Sequence, residues 1–587
     1  MPAPNATDLA PVKIIQRRNV PAMSRSGLPE HLHPVLRRVY AGRSIGSVEE
    51  LDNGLQRLLS PLTLKGIVPA VTLLQVALRD RQRILIVGDF DADGATSSAL
   101  MIAALRAMGA ESVEFLVPNR FEFGYGLTPE IVAVAARMSP DLLITVDNGI
   151  SSIAGVAAAR ALGMRVLVTD HHLPGGELPA ADAIVNPSQP GDQFPSKCLA
   201  GVGVAFYLLM ALRSRLRESG WFRARRLAEP NLAEYLDLVA LGTIADLVPL
   251  DRNNRVLVHQ GIQRIRAGCC RPGIRALLEV AGRSPARLVS ADFGYAVGPR
   301  LNAAGRLDDM SLGIECLLCE DAIRARELAL RLDALNRERR EIEADMKASA
   351  LEHVEQMGLK THELPPGLCL YDTAWHQGVI GILASRIKEK FHRPAIAFAD
   401  AGGGYLKGSA RSIPGLHIRD TLDAIAARHP GLLHKFGGHA MAAGLSLSEH
   451  RLADFRNAFQ QEVAVRMDPG ALQGVIQSDG ELEAHDFTVE LSELLRSAGP
   501  WGQAFPEPVF DGEFAVLNQR VVGEAHLKLA VRCTNGERAL DAIAFHQAEG
   551  QRLRPGQRVR LAYRLDSNEY RGLLGLQLVV ELIQPLD

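Results

Sequence analysis

The stretch RILIVGDFDADGATSSALMIAALRAMGA, Arg83 to Ala110, decides the fold. Its first part is a continuous apolar run of strand length. A turn crowded with carboxylates (Asp89, Asp91, Asp93) follows, and then a run of helical texture. Working outward, the alternation repeats: VEFLVPN, the helical TPEIVAVAARM, LLITVD (Leu142 to Asp147), the helical SSIAGVAAARALG, and RVLVTD (Arg165 to Asp170). Apolar runs separated by helices of this length predict βαβ units and a parallel sheet covered on both faces. Such sheets bind ligands beyond the carboxyl ends of their strands.

Further helices are predicted near Gly203–Arg217 and Leu232–Leu241. From Ala322 to Met357 a charged amphipathic stretch contains neither glycine nor proline. As one helix it would span about 50 Å, and it reads as a spacer between domains. A second α/β unit begins near Gly367, with LCLYD and PAIAFAD as strands and VIGILASRIKEKF as a helix. After Ala471, short alternating strands separated by Asn-Gly, Pro-Gly and Asp-Ser turns predict a small antiparallel barrel. The expected architecture is thus α/β: a parallel-sheet domain (66–320), a long connecting helix (321–358), a second α/β domain (359–465) and a C-terminal β-barrel (471–587). Residues 1–65 read as an irregular polar arm, helix-like only around Ser47 to Leu59.

The 587 residues suit several domains, and 47% hydrophobic with 22% charged residues is globular composition. With 65 basic and 67 acidic side chains the formal charge is −2, which excludes nucleic-acid binding through bulk charge. Phosphate chemistry must then rest on local clusters or metal ions. The seven scattered cysteines make a poor disulfide framework and fit a reducing compartment. Cys316 and Cys319 form a CxxC within apolar IECLLCE, which reads as core packing. No signal-peptide core and no apolar run of about 20 residues is found, so a soluble, cytoplasmic protein is expected.

Three strands of one array end in carboxylates: Asp89, Asp91 and Asp93 in GDFDADG, Asp147 in TVDNG, and Asp170 in TDHH. Leaving the same sheet edge, they should converge on one crevice. A fourth acid, Asp246 in LGTIADLVPL, follows an apolar helix. Carboxylates packed this closely cannot all ionise without compensation, which divalent cations supply. Oxygen ligands with an imidazole or two favour manganese or magnesium over zinc. A calcium loop is excluded, because the twelfth position from Asp89 is Leu100.

GDFDADG, TVDNG, TDHH and GTIADLVPL resemble the four motifs of the DHH phosphoesterase superfamily, with Asp170, His171 and His172 as the DHH triplet. The resemblance implies two Mn2+ or Mg2+ ions. Asp91 and Asp93 would hold one each, Asp147 would bridge them, and His171 and Asp246 would complete the second. Asp89 is a further metal candidate. His172 would contact substrate or act as general acid, with Asp170 orienting a histidine. WHQGVIGILASRIKEKF, GSARS (Gly408 to Ser412) and KFGGHAMAAG (Lys435 to Gly444) resemble the companion DHHA1 domain.

PNRFEFGYGL (Pro118 to Leu127), GPRLNAAGRLDD (Gly298 to Asp309) and LDSNEYRGLLGLQL (Leu565 to Leu578) resemble the superfamily's branch of bacterial exonucleases specific for single-stranded DNA. In that branch the barrel is an OB-fold. The resemblance implies degradation from 5′ to 3′ to mononucleotides, in recombination and repair. It further implies that Arg120, Arg306, Ser409, Arg411 and Ser412 bind phosphates near the 5′ end, and that Gly438 and His439 lie by the metal-bound nucleotide. Arg300 and Asn302 would line a channel, although an equally good reading of Arg300 is an ion pair fixing its loop. Barrel candidates for strand contact are His526, Lys528, Arg532, Tyr563, Tyr570 and Arg571. A single-stranded-DNA-binding protein and a recombination helicase are the implied protein partners, with no membrane association and a monomeric state. Rival readings are a DHH-type nanoRNase or cyclic-dinucleotide phosphodiesterase, against which the terminal barrel speaks, and a non-catalytic binding scaffold.

Overall fold

The computed structural model describes residues 13–20, 27–118, 126–356, 364–523, 525–534, 536–548, 552–570 and 573–586. After a strand β1 (Lys13–Arg17), the chain builds a five-stranded parallel sheet from β2 (Ile84–Gly88), β3 (Val113–Leu116), β4 (Leu142–Val146), β5 (Arg165–Thr169) and β6 (Ala183–Val185), in the order β3-β2-β4-β5-β6. Every residue of β2 and β4 is buried, as the continuous apolar runs require. One face packs beneath Ile131, Val132 and Val156. The other packs against the helices Ala92–Ala107 and Gly201–Glu218. Burying one Leu or Val side chain stabilises by about 1.5–3 kcal/mol, so this double cover dominates the domain's energetics.

The second α/β unit carries β7 (Leu368–Tyr371), β8 (Ala395–Asp400), β9 (Tyr405–Arg411), β10 (Lys435–Gly438) and β11 (Ala442–Ser448) in the order β10-β11-β9-β8-β7. Only β7 and β8 are parallel. After β12 (Gly474–Ser478), the strands β13 (Phe510–Val522), β14 (His526–Cys533), β15 (Ala539–Ala544), β16 (Arg558–Tyr570) and β17 (Leu573–Pro585) close a barrel. Asp566 and Ser567, expected in a turn, lie inside β16, paired with Gln577 and Leu576.

Two expectations need correction. The helix Ala322–Gln356 forms as expected but is no free spacer: Ala325, Leu328, Ala329 and Leu332 enter the core of the parallel-sheet domain, while Met346, Ala350 and Val354 enter that of the second α/β unit. Its charged residues hide the seam because they are paired within it. Arg339 donates to Glu343, which also accepts from Arg386 at 2.7 Å.

The N-terminal region is likewise no loose arm. β1 pairs in parallel with β12, Arg17 donates to Asp511 at 3.0 and 2.9 Å, and Arg43 makes a two-pronged contact with Asp479 at 2.8 and 2.9 Å. Helix Pro34–Ala41 lies here, whereas 47–59 holds only short 3₁₀ turns. These contacts, with Trp501 and Phe505, merge the barrel's core with that of the parallel-sheet domain. Cys316 is a buried core residue, as expected.

Candidate metal centre and the adjoining cavity

The sheet edge assembles the site. Asp91 caps the helix Ala92–Ala107, its Oδ1 accepting the amides of Asp93 at 2.9 Å and Gly94 at 3.0 Å. Asp93, in the first turn, accepts the amides of Gly201 and Val202 at 2.6 and 3.0 Å, so it also caps a second helix. Asp147 follows β4 in the left-handed region at φ 63°, which aims its carboxylate back over the sheet edge. Glycine is required at 201, since an added Cβ would come within 2.7 Å of the Asp147 side chain.

His171 Nε2 lies 3.2 Å from Asp147 Oδ1 and 3.5 Å from Asp246 Oδ2. All three atoms are buried, and none has a hydrogen-bond partner. Three groupings, each with its ligand atoms within 4.8 Å of one another, overlap here: Asp147, His171 and His172; Asp93, His171 and Asp246; Asp89, Asp91 and Asp147. Every residue expected to hold metal is therefore brought into one place. Hydrogen bonding with the Leu199 backbone orients the His171 ring, while burial above all pushes its pKa down to about 4, leaving it neutral with a free lone pair. Burial, then repulsion from Asp93 and Asp91, raises Asp147 and Asp246 well above the carboxylate range. Asp93 is raised to about 7 by burial and by the Asp91 charge. An oxygen-rich set with one neutral imidazole and mutually repelling acids fits hard divalent cations, which satisfy the orphaned atoms and offset the charge.

Asp170 is the hub behind the ligands. It accepts the amides of Ile150 (2.9 Å), His171 (2.7 Å) and His172 (3.1 Å), and its Oδ1 meets His172 Nδ1 at 2.8 Å. Burial would lower the His172 pKa, but the Asp170 contact and the nearby acids outweigh it and raise the group to about 9. The rings of His172 and His439 lie 23° from parallel, 6.0 Å apart. Gly438, at φ 148°, passes so close to Ala442 that a Cβ would stand 2.3 Å from its carbonyl oxygen.

Between the two α/β units lies a cavity of about 260 Å³. Phe90, Asp91, Asn302 and Arg306 line it from one side, and Gln377, Lys407, Ser409 and Arg411 from the other. Asn302 Oδ1 accepts the Ala92 amide at 2.8 Å, and Arg306 Nη1 donates to the Gly378 carbonyl at 3.0 Å. Arg411 Nη1 donates to Ser409 Oγ at 3.1 Å. Sequence reasoning missed Lys407, one residue before GSARS, and Gln377, which lies within WHQGVIGILASRIKEKF but was given no role. The alternation along β9, which carries Ser409 and Arg411 on the same face as Lys407, was the available signal.

Other expectations divide. Arg300 pairs with Asp333 of the long helix at 2.9 and 2.8 Å and donates to Ala296, the fixing role rather than a channel position. Ser412 is a correction: its buried hydroxyl donates to the Leu416 carbonyl at 2.8 Å, away from the cavity. Tyr563 is another, because it is wholly buried among Phe510, Phe514 and Phe487. A register shift between Ala562 and Tyr563 turns both inward. Lys528 is tied to Asp541, while His526 packs against Phe545 and His546, and Arg532 is exposed. Arg120 and Arg571 lie outside the described residues, as does the Tyr570 side chain. Among the described residues, no single helix is long and apolar enough to cross a membrane.

Residues 83–243 match the DHH family N-terminal domain, residues 365–465 the DHHA1 domain, and residues 478–581 the RecJ OB domain. Together with the carboxylate and histidine cluster, these define a phosphoesterase of the DHH superfamily. The chain is 59% identical over 576 residues to the single-stranded-DNA-specific exonuclease RecJ of Dickeya dadantii, covering 98% of this chain and 100% of that one. It is 55% identical over 573 residues to that of Escherichia coli, covering 97% and 99%. The crystal structure of RecJ from Thermus thermophilus in complex with Mn2+ aligns with a TM-score of 0.79 at 31% identity, over 97% of this chain and 79% of that one. The chain belongs to the RecJ family.

Proposed function

We propose that this protein hydrolyses single-stranded DNA from its 5′ end, releasing mononucleotides, with two divalent cations (Mn2+ or Mg2+) per site, in recombination and repair. The observation that carries it is the set of buried, partnerless atoms on Asp147, His171 and Asp246, adjoining Asp89, Asp91 and Asp93 and opening beside a cavity rich in phosphate-binding groups. Family membership and the manganese and magnesium complexes of the Thermus thermophilus relative support the cofactor. Asp91, Asp93, Asp147, His171 and Asp246 would hold the cations, with Asp89 beside them. Bound there, the pair supplies an activated water and offsets charge on the phosphoryl oxygens.

The chain's own groups do the rest. His172, held by Asp170 through Nδ1, would present Nε2 as a donor to a phosphate oxygen or the departing oxygen. Arg306, Ser409 and Arg411 offer guanidinium and hydroxyl donors to a terminal phosphate, and Lys407 adds charge on the same wall. Gly438 and His439 would contact the nucleotide at the metal. His526 and Arg532 would meet the strand on the barrel.

The test is degradation of end-labelled strands with Mn2+. Label at the 5′ end should be released first, as mononucleotide, and Asp147→Ala should abolish turnover. Release from the 3′ end first would refute the polarity, and an active Asp147→Ala protein the metal site. For the protein partners, titration with the C-terminal peptide of a single-stranded-DNA-binding protein should show saturable binding. A flat titration removes that partner.

A further inference from the structure

The residues 290–307 form one helical run interrupted by a π turn, Phe293–Val297, before the segment Gly298–Leu307. Pro299 accounts for the widening: it lacks an amide hydrogen, and its ring would strike the carbonyl four residues back, that of Tyr295. Phe293, Ala296 and Val297 remain buried. Tyr295 is left 86% exposed, more than any other large apolar or aromatic side chain among the described residues. The proline explains the turn, yet not why the residue pushed into solvent is aromatic.

Its position is informative. Asn302 and Arg306, which line the cavity, are 7 and 11 residues further along the same run, two and three helical turns. The π turn breaks strict α-helical phase, but Tyr295, Pro299, Asn302 and Arg306 all reach solvent while 296–298, 301 and 303–305 are buried, so Tyr295 lies on their stripe, within about 16 Å of Arg306 along the axis. The turn that carries it packs on the end of the helix Leu236–Ala245, where a Cβ at Gly294 would lie 3.6 Å from Ile244 and one at Gly298 would lie 3.3 Å from Ala245. Asp246 comes next in the chain. Leu247 follows it, 69% exposed and at φ 60°, a second large apolar group presented to solvent beside a metal ligand.

We infer that Tyr295 is a stacking platform for an unpaired base of the substrate strand, on the path leading from the cavity along the Arg306, Asn302 and Tyr295 stripe, with Leu247 flanking it. This rests on the proposed single-strand activity and extends it to a contact outside the metal centre. An exposed ring on the stripe that carries two cavity-lining residues offers one π face, which suits a nucleobase of any sequence and is too small for a protein partner.

Binding and cleavage separate the two claims. Fluorescence anisotropy in chelator, with a labelled 5′-phosphorylated oligothymidylate, reads strand affinity without hydrolysis. Tyr295→Ala should weaken binding about tenfold, within the range of one base stack, while Tyr295→Phe stays within about twofold of the parent. A strand with an abasic site at the contacted nucleotide should bind the parent as weakly as Tyr295→Ala binds the intact strand, and lose little more with the variant. With Mn2+, Tyr295→Ala should raise KM and leave kcat nearly unchanged. Unchanged affinity in Tyr295→Ala overturns the platform, and a Tyr295→Phe loss equal to that of alanine shows a hydroxyl contact in place of stacking. If the parent binds strands but never cleaves them, the exonuclease proposal fails while the affinity comparison still decides the platform.

Discussion

Asp170 reaches His172 with the oxygen that also accepts two backbone amides, and its other oxygen holds the Ile150 amide at 2.9 Å. One buried carboxylate thus fixes both the ring and the loop carrying it. Asp170→Asn should lower the His172 pKa from about 9 toward the ordinary imidazole value, because the cationic ring loses its main partner. Activity should fall by about 10–100-fold, the usual cost of removing a group that orients a site histidine. Histidine NMR titration of the metal-free protein checks the first, and initial rates check the second.

Asp147 carries a penalty in the absence of metal, since burial and four neighbouring acids oppose its charge. Asn tolerates the left-handed backbone there. In chelator, Asp147→Asn should melt above the parent by about 2 °C or more, the shift that one kcal/mol gives a domain of some 200 residues. Adding Mn2+ should raise the parent's melting temperature and leave the variant's nearly unmoved. Thermal scans with and without metal decide it, and a variant that melts lower in chelator contradicts the strain.

The cavity groups predict sensitivity to the strand's first phosphate. Arg411→Ala should raise KM about 10-fold or more for 5′-phosphorylated strands, the loss of a charge-assisted contact. It should do less for strands ending in a 5′-hydroxyl. Steady-state rates on the two substrates measure the difference, and an equal loss on both places Arg411 elsewhere.

Much of this was legible because the catalytic half is built from local signals. Apolar runs fixed the strands, and carboxylates at their ends fixed the edge where a site forms. The long helix misled because Asp333, Asn336, Arg339 and Glu343 sit in its buried seam, so its apolar face looks interrupted by charge. β1 could not be foreseen, since its partner β12 lies some 460 residues away in sequence. Tyr563 was misplaced because a bulge breaks the strict alternation of inward and outward side chains, and only pairing with β17 reveals it. Lys407 and Gln377 gain their meaning only from two domains meeting.

Asp511 should make the N-terminal strap acid-sensitive. Its hydrogen bonds with Arg17, Ser478 and Arg560 outweigh burial and hold its pKa down to about 2. A depressed carboxylate stabilises the fold above its unfolded value, and that stabilisation drains away as pH falls from about 4 toward 2. Asp511→Asn should therefore cost about 2 kcal/mol near pH 7, a charged hydrogen bond's worth, and progressively less below pH 4. Denaturant titrations of parent and variant across that range test the convergence.

The pairing of β1 with β12 also orders events during synthesis. The strand leaves the ribosome some 460 residues ahead of its partner, and Asp511 follows later still. At 5–20 residues per second the strand waits roughly 25–90 s with an unanswered hydrogen-bonding edge. A nascent chain stalled before the barrel would carry that edge bare, together with Arg43 awaiting Asp479. A later stretch therefore fastens an earlier one, and the interval is when chaperones would have most to protect.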